Sequence, residues 1–135
     1  MILLNITYSN KLSVKDYCTL RKAVGWYDIP ENIVRQALDK SDFIVSAVVD
    51  NSTVGMARLI TDGVQALIMD VIVHPDYQRK GIGKGLMANT MQYLKSTYGQ
   101  MVVNLTTSDA NVGFYEKLGF SNADIAGMRL WYGIE

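Results

Sequence analysis

The sequence contains little of several features that would define its class. It has a single cysteine, Cys18, only two prolines, and no apolar run approaching the ~18 residues that a membrane helix needs. One cysteine cannot form a disulfide within the chain, and no basic stretch accompanies the apolar start, so a secretory signal is not indicated. We therefore expect a soluble domain in the reducing cytoplasm.

The chain also lacks a net charge. Lys plus Arg and Asp plus Glu number 13 each, so the field of the whole molecule is close to zero. This argues against nucleic acid or an anionic membrane as the main partner. A length of 135 residues with no linker or repeat predicts a single domain over 1–135.

Hydrophobic spacing predicts a mixed α/β or α+β fold with helices packed on a sheet. The predicted strands are 1–8, 43–50, 53–62, 65–73, 101–107 and 128–134. The predicted helices are 13–25, 30–40, 82–99 and 110–120. Strand 65–73 is apolar except at Gln65 and Asp70, which is typical of a central strand buried on both faces.

Three local features refine these elements. Asn51-Ser52 is the predicted turn between the strands of a hairpin. Pro30 is expected at the first position of its helix. The spacing of Ile33, Ala37 and Leu38 places them on one face of that helix.

The segment "VIVHPDYQRKGIGKGLM" joins the buried strand to a helix and is unusually rich in glycine. Gly81, Gly83 and Gly85 lack a Cβ, so their backbone N–H groups can approach a ligand closely. The unpaired N–H groups at a helix start favour phosphate oxygens. Local positive charge comes from Arg79, Lys80 and Lys84. The segment therefore predicts a phosphate or pyrophosphate site.

Two common phosphate-binding motifs do not fit. A P-loop needs glycine where Gln78 stands and Ser or Thr where Gly85 stands. A dinucleotide fingerprint has the spacing G-x-G-x-x-G directly after a strand, whereas this segment has G-x-G-x-G after a charged loop. We also find no paired acidic residues beside the loop for the metal that a phosphotransferase would need.

The run from Gln78 to Gly83, after Val73-His74-Pro75, resembles the acetyl-CoA-binding motif of the GCN5-related N-acetyltransferase (GNAT) superfamily. The later stretch "NVGFYEKLGF", residues 111–120, is similar to the second signature of that family. The resemblance implies a GNAT fold, with a mixed central sheet splayed between strands 4 and 5 and helices on both faces. It also implies acetyl-CoA in the gap and direct transfer of the acetyl group to a primary amine, with no metal.

The resemblance assigns cofactor contacts residue by residue. Backbone amides of the loop would hold the pyrophosphate, and the end of strand 65–73 would pair with the pantetheine arm. Asn111, one helical turn before Tyr115, would hold the same arm. The residues so assigned are Val71, Ile72, Val73, Gln78, Arg79, Lys80, Gly81, Ile82, Gly83, Lys84, Asn111, Phe114 and Tyr115.

Tyr115 and Asp70 are the candidate catalytic residues. Tyr115 would protonate the leaving thiolate, although a tyrosine here also fits the edge of the core. Asp70 would accept the proton of the amine or bind a cationic acceptor, and an ion pair with Arg58 explains it equally well. We place the acceptor near Trp26 and Tyr27, with Arg58 and Asp70.

Three further points stay open at this level. The alternative to an acetyltransferase is a coenzyme A-binding or regulatory module with the same fold and no activity. The acceptor is an unidentified amine, with a small molecule favoured. The family usually has two closing strands, and the one predicted here, 128–134, could pair within its own sheet or with a second copy in a homodimer.

Overall fold

The computed structural model describes residues 4–134. Backbone contacts divide the chain into two compact units, with the boundary between Asn104 and Leu105. Each unit is described by itself. Strand prediction 1–8 falls partly outside the described residues, and the observed first strand begins at Thr7.

The first unit is a five-stranded mixed sheet with three helices. Its strands are β1 (Thr7–Ser9), β2 (Phe43–Val49), β3 (Ser52–Thr61), β4 (Gln65–Val73) and β5 (Val102–Asn104). Its helices are α1 (Val14–Ala23), α2 (Glu31–Asp39) and α3 (Ile82–Thr97). The strands lie in chain order, antiparallel from β1 to β4 and parallel between β4 and β5. The predicted mixed α/β class is confirmed.

The helices cover both faces of this sheet, as predicted. On one face, Leu86 of α3 packs into a buried cluster with Val45 and Ala57. On the other face, Tyr17 of α1 and Val34 of α2 belong to a second buried cluster that includes Met56 and Ile72 of the sheet. Side chains of the central strands therefore point alternately into two separate apolar layers, one on each face of the sheet.

Short-range chemistry sets where the elements begin. The Ser13 hydroxyl accepts a hydrogen bond from the Asp16 N–H at 3.0 Å and caps α1. Asp50 and Asn51 both have positive φ, so the hairpin turn lies one residue earlier than predicted and Ser52 already belongs to β3.

Two expectations for the second helix are wrong. Pro30 has an extended ψ of 140°, so it precedes the helix, which begins at Glu31. Ile33 is 46% exposed, whereas Val34 is 1% exposed and carries the buried face. Both residues fit a helical repeat with the apolar residues that follow, so the spacing alone could not choose between them.

Strand β4 separates from β5 after a short start. Only Gln65, Ala66 and Leu67 pair with β5. From Ile68 to Val73, no strand of the described chain pairs with that edge, which confirms the splay between strands 4 and 5. Burial on both faces is wrong for the first part of the strand: Leu67 is 39% exposed, because an apolar composition does not show which part of a strand the helices cover.

The second unit is small. A 3-10 turn at Asp109–Asn111 leads into α4 (Val112–Glu116), which is shorter than the predicted helix 110–120. Asn111 therefore precedes the α-helix, and Gly119, with φ +98°, lies in the turn after it.

The predicted closing strand 128–134 is wrong. Residues 120–134 contain no strand in the described chain, and Met128 is 97% exposed. An apolar, β-rich sequence becomes a strand only when a neighbour takes up its backbone hydrogen bonds. Within this unit Arg129 lies over the Trp131 ring and donates to the Thr106 hydroxyl at 3.3 Å.

Between residues 4 and 134, no helix combines the length and the apolar character required to span a bilayer.

Candidate functional site

The glycine loop, residues 78–84, follows directly from the end of β4. The strand stops at Val73, and Pro75–Tyr77 forms a 3-10 turn. His74 supports that turn, since its Nδ1 accepts from the Asp76 N–H at 3.1 Å. His74 is therefore a turn residue.

The start of α3 leaves backbone donors without helical acceptors. The first intrahelical bond runs from the Gly85 N–H to the Gly81 carbonyl at 3.1 Å. The N–H groups of Ile82, Gly83 and Lys84 come before it, and no side chain caps this end of the helix. Three clustered donors at the positive end of a 16-residue helix suit a pyrophosphate.

The glycines of this segment serve different purposes. Gly81 has φ +83°, and a Cβ there would meet open space, so it is needed for its backbone conformation. Gly85 is needed for packing, because a Cβ there would overlap the Tyr8 hydroxyl. The expectation that Gly85 offers its N–H to a ligand is wrong, since that N–H is already bonded within the helix.

The side chains of the loop differ in their surroundings. Ile82 is the first residue of α3, and its side chain is buried in the same cluster as Leu86, so only its backbone is available to a ligand. Arg79 and Lys80 are exposed, and Arg79 adopts φ +64° although it is not glycine. The Gln78 amide donates to the Val73 carbonyl at 3.0 Å, which ties the loop to the end of β4.

A β-bulge interrupts β4 at Asp70, within the stretch that has left β5. Asp70 and Val71 together lie opposite Ala57, between the pairs Arg58↔Met69 and Met56↔Ile72. Asp70 has φ +56°, a left-handed conformation that is rare in a strand. The bulge therefore places an irregular backbone beside the open edge of the sheet.

Three donors surround the Asp70 carboxylate. Its Oδ2 accepts from the Tyr17 hydroxyl and from Arg58 Nε, each at 2.6 Å, and Arg21 donates to Oδ1 at 3.4 Å. The Asp70 side chain is 9% exposed. We call these four residues the Asp70 cluster. The ion pair with Arg58 that the sequence left open is present, and proton acceptance by Asp70 stays a prediction.

Arg21 connects this cluster to the predicted acceptor segment. Its guanidinium donates to the Tyr27 carbonyl at 3.2 Å and lies 5.1 Å from the Trp26 ring and 4.9 Å from the Tyr27 ring. Arg21 thus connects three of the residues predicted to bind the acceptor, Trp26, Tyr27 and Asp70, and Arg58 joins them through Asp70.

Sequence reasoning missed Tyr17 and Arg21 as members of the site. Neither residue was given a functional role from the sequence. The sequence held one signal: Arg21 follows Tyr17 by four residues, so it shares the apolar face of α1, where a cation needs an anionic partner. In the structure Arg21 is 7% exposed. Asp70 was the matching carboxylate in an apolar strand.

The cluster also fixes the protonation of Tyr17. Burial, followed by the hydrogen bond to Asp70 and its negative charge, raises the pKa of Tyr17 from 10.0 to about 12. The phenol therefore stays a neutral donor to the carboxylate at physiological pH.

In the second unit, Tyr115 is buried between two aromatic rings. It makes edge-on contacts with Phe114 at 4.9 Å and Phe120 at 6.0 Å between centroids. Burial raises the pKa of Tyr115 above its ordinary value of 10.0. Asn111 is exposed, and its amide donates to the Ser108 hydroxyl at 3.3 Å.

Known proteins are similar to this chain in sequence and in fold. An N-acetyltransferase of Pyropia yezoensis, ycf52, described as uncharacterized, is 34% identical over 131 residues, which cover 92% of this chain and 75% of that protein. The glucosamine 6-phosphate N-acetyltransferase of Schizosaccharomyces pombe is 42% identical over 89 residues, or 61% of this chain and 79% of that protein. A probable acetyltransferase from meticillin-resistant Staphylococcus aureus has a similar structure, with a TM-score of 0.84 at 28% identity, over 96% of this chain and 100% of that one.

The family assignment follows from these matches together with the site. Residues 15–129 match the family described as the acetyltransferase (GNAT) domain, so the match includes the glycine loop, the β4 bulge and Tyr115. The two motifs on which the resemblance was based, Gln78–Gly83 and residues 111–120, both lie within this match, and the first leads into the uncapped start of α3. The chain belongs to the GNAT acetyltransferase family.

Proposed function

We propose that this protein transfers the acetyl group of acetyl-CoA directly to a primary amine of a small molecule. The observation that carries the proposal is the open edge of β4, from Ile68 to Val73, which leads into the uncapped N-terminus of α3. An extended pantetheine arm can pair with such an edge, and a pyrophosphate suits the donors at its end.

Backbone groups hold the cofactor in this proposal. The N–H groups of Ile82, Gly83 and Lys84 bind the pyrophosphate, and the exposed side chains of Arg79 and Lys80 add positive charge around it. Gln78 already donates to the Val73 carbonyl, so its role is to fix the loop against β4. No metal takes part.

The chemical step is an acyl transfer. The amine nitrogen forms a bond to the thioester carbonyl carbon, the carbon–sulfur bond breaks, and its electron pair stays on sulfur. The sulfur then takes up one proton, and the amine releases one. A backbone N–H at the β4 bulge, such as that of Val71, would stabilise the negative charge on the carbonyl oxygen.

Tyr115 is the proposed donor to the sulfur. Its buried phenol is protonated at physiological pH, because burial raises its pKa. A thiol has a pKa of ~8.5, so complete transfer of the phenol proton to the thiolate is uphill. Hydrogen bonding to the developing thiolate is therefore the larger part of its role.

The surroundings of Arg21 favour a small acceptor over a strongly cationic one. The faces of Trp26 and Tyr27 already carry the Arg21 guanidinium, which repels a second cation at the same rings. The relative from Schizosaccharomyces pombe is named for glucosamine 6-phosphate, an amino sugar with an anionic group. We therefore take glucosamine 6-phosphate as the first acceptor to test.

The test measures release of free thiol from acetyl-CoA with a panel of amines: glucosamine 6-phosphate, a polyamine and a lysine peptide. We expect saturable, amine-dependent release with at least one of them. Tyr115→Phe is the matched variant, and it should keep its affinity for coenzyme A while its turnover falls by roughly 10²-fold, a typical contribution of a positioned acid. Unchanged turnover would remove Tyr115 from the mechanism.

The alternative is a coenzyme A-binding module without activity. Saturable binding of acetyl-CoA, with no thiol release for any amine, would support the module and contradict the enzyme. If coenzyme A in excess leaves the amide signals of Ile82, Gly83 and Lys84 unchanged, both functions fail.

Location and assembly stay predictions. The single cysteine and the balanced charge favour the cytoplasm and a small-molecule partner, with neither nucleic acid nor a membrane as partner. A homodimer through residues 128–134 would require this irregular segment to become a strand on pairing. The mass of the protein in solution tests it.

A further inference from the structure

Asp70 has a backbone conformation that is rare for a strand residue other than glycine. A strand residue normally has a negative φ, and a left-handed one is disfavoured for any residue with a Cβ. Asp70 nevertheless has φ +56° at the β4 bulge. Such outliers persist only when the surroundings hold them in place.

The carboxylate of Asp70 is held from two different elements. Arg58 reaches it from β3, and Tyr17 and Arg21 reach it from α1. Both oxygens are therefore occupied as acceptors, two of the donors being guanidinium groups. The carboxylate is the shared counter-charge of two guanidinium groups, and its side chain is only 9% exposed, so its geometry is that of a structural group held by its neighbours.

We propose that Asp70 is a positioning residue: its clamped carboxylate fixes the β4 bulge at the open edge of the sheet and, through Arg21, fixes the Trp26–Tyr27 segment. The inference rests on the proposed acetyl transfer, since positioning is meaningful only if the bulge and that segment hold the reactants. The proton of the amine then passes to solvent water.

Arg21 is the second positioning residue. One of its terminal nitrogens bonds Asp70 and the other bonds the Tyr27 carbonyl at 3.2 Å, so a single planar group spans the bulge and the loop. The rings of Tyr17, Trp26 and Tyr27 lie around its guanidinium at 4.9–5.8 Å. Lysine offers neither the fork nor the flat face, so charge alone would not replace it.

Three substitutions at position 70 separate positioning from proton acceptance. Asn and Gly tolerate a left-handed φ, whereas Ala does not. We expect kcat/KM for acetyl-CoA and the best amine to fall in the order Asn least, then Gly, then Ala, with Gly roughly fivefold better than Ala. An equal loss in all three variants, with residual activity that no longer shows the acidic limb of the pH profile, would overturn the proposal.

A variant that leaves Asp70 in place gives an independent measurement. Arg21→Met should raise KM for the amine and lower kcat, leave the pH profile unmoved, and be only weakly rescued by Arg21→Lys. If Asp70 were the base, loss of a neighbouring cation would move the acidic limb to higher pH. Lys22→Met, at an exposed position of the same helix, is the matched control and should match wild type.

A failure of the proposed function has a separate signature. If wild type binds coenzyme A but no amine of the panel releases thiol, the amide signals of Val71, Ile72 and Tyr27 still test the clamp. We expect these signals in Asp70→Gly to stay closer to wild type than those in Asp70→Ala, and Arg21→Met to shift Tyr27. Spectra that coincide at these positions in all the variants would overturn the inference.

Discussion

The glycine loop and the Asp70 cluster border the same strand but are built in opposite ways. The loop, residues 78–84, is exposed and offers backbone N–H groups, and most of its side chains point to solvent. The cluster is buried, and its work is done by four side chains from α1, β3 and β4. One region depends on backbone conformation and the other on side-chain chemistry.

This difference predicts how each region responds to substitution. In the loop, removing a charged side chain should barely change the free energy of unfolding, whereas adding a Cβ to Gly81 should lower it. In the cluster, losing one charged group leaves a largely buried ion pair network with unbalanced charge, which is destabilising. Matched substitutions in the two regions therefore test whether one depends on its backbone and the other on its side chains.

The largest effect is expected for Arg58→Met. The substitution removes the 2.6 Å partner of Asp70 and leaves the carboxylate with Arg21 and Tyr17, so we expect a loss of about 2–3 kcal/mol in the free energy of unfolding. Lys80→Met in the loop is the matched control, with an expected change below ~0.5 kcal/mol. Urea denaturation measures both, and similar values for the two variants would contradict the comparison.

The next effect separates two glycines of one segment. Gly85→Ala places a methyl group into the Tyr8 hydroxyl, and we expect it to destabilise by about 2 kcal/mol through overpacking. Gly81→Ala meets open space but must hold φ +83°, which costs about 1 kcal/mol. In the double variant with Tyr8→Ala, the cost of Gly85→Ala should shrink. If the free-energy costs of Gly85→Ala and Tyr8→Ala simply add in the double variant, the clash with Tyr8 is excluded.

A third prediction uses pH to probe the cluster. Tyr17→Phe removes the hydrogen bond to Asp70, and we expect it to lower the free energy of unfolding by about 1.5 kcal/mol at neutral pH. Because the folded state raises the pKa of Tyr17 to about 12, its contribution is complete below pH 10 and is lost as the pH rises towards 12. The gap between wild type and variant should therefore narrow over that range. A constant gap in denaturation experiments would mean that Tyr17 titrates normally.

The loop could be predicted from the sequence because its backbone conformation requires particular residues at neighbouring positions. A positive φ and a bare helix start favour glycine, so Gly81 and its neighbours are visible within seven residues. The same holds for the sheet, where apolar runs gave β2, β3 and β4 to within one residue. The open edge of β4 followed from the family resemblance.

No short sequence motif identifies the Asp70 cluster. Tyr17 and Arg21 lie 53 and 49 positions from Asp70 in the chain, so only the folded sheet brings them together. The bulge was also hidden, since Asp70 reads as an ordinary strand residue until its φ is known. The failed strand 128–134 has the opposite cause: its residues favour a strand, but no neighbour in the described chain pairs with them.

The smallest effect concerns Gln78, where the two regions meet. Its amide covers the Val73 carbonyl at an exposed position, so Gln78→Leu should change the free energy of unfolding by less than ~0.5 kcal/mol. The affinity of the Gln78→Leu variant for coenzyme A should stay within about twofold of wild type, because the loop binds through backbone N–H groups. The Val73 carbonyl that Gln78 no longer occupies can accept a hydrogen bond from the pantetheine arm or from water. Calorimetric titration measures this, with Lys80→Met in parallel. A tenfold weaker complex for Gln78→Leu alone would show that the side chain itself holds the cofactor, and the contrast between a backbone site and a side-chain site would then fail at this residue.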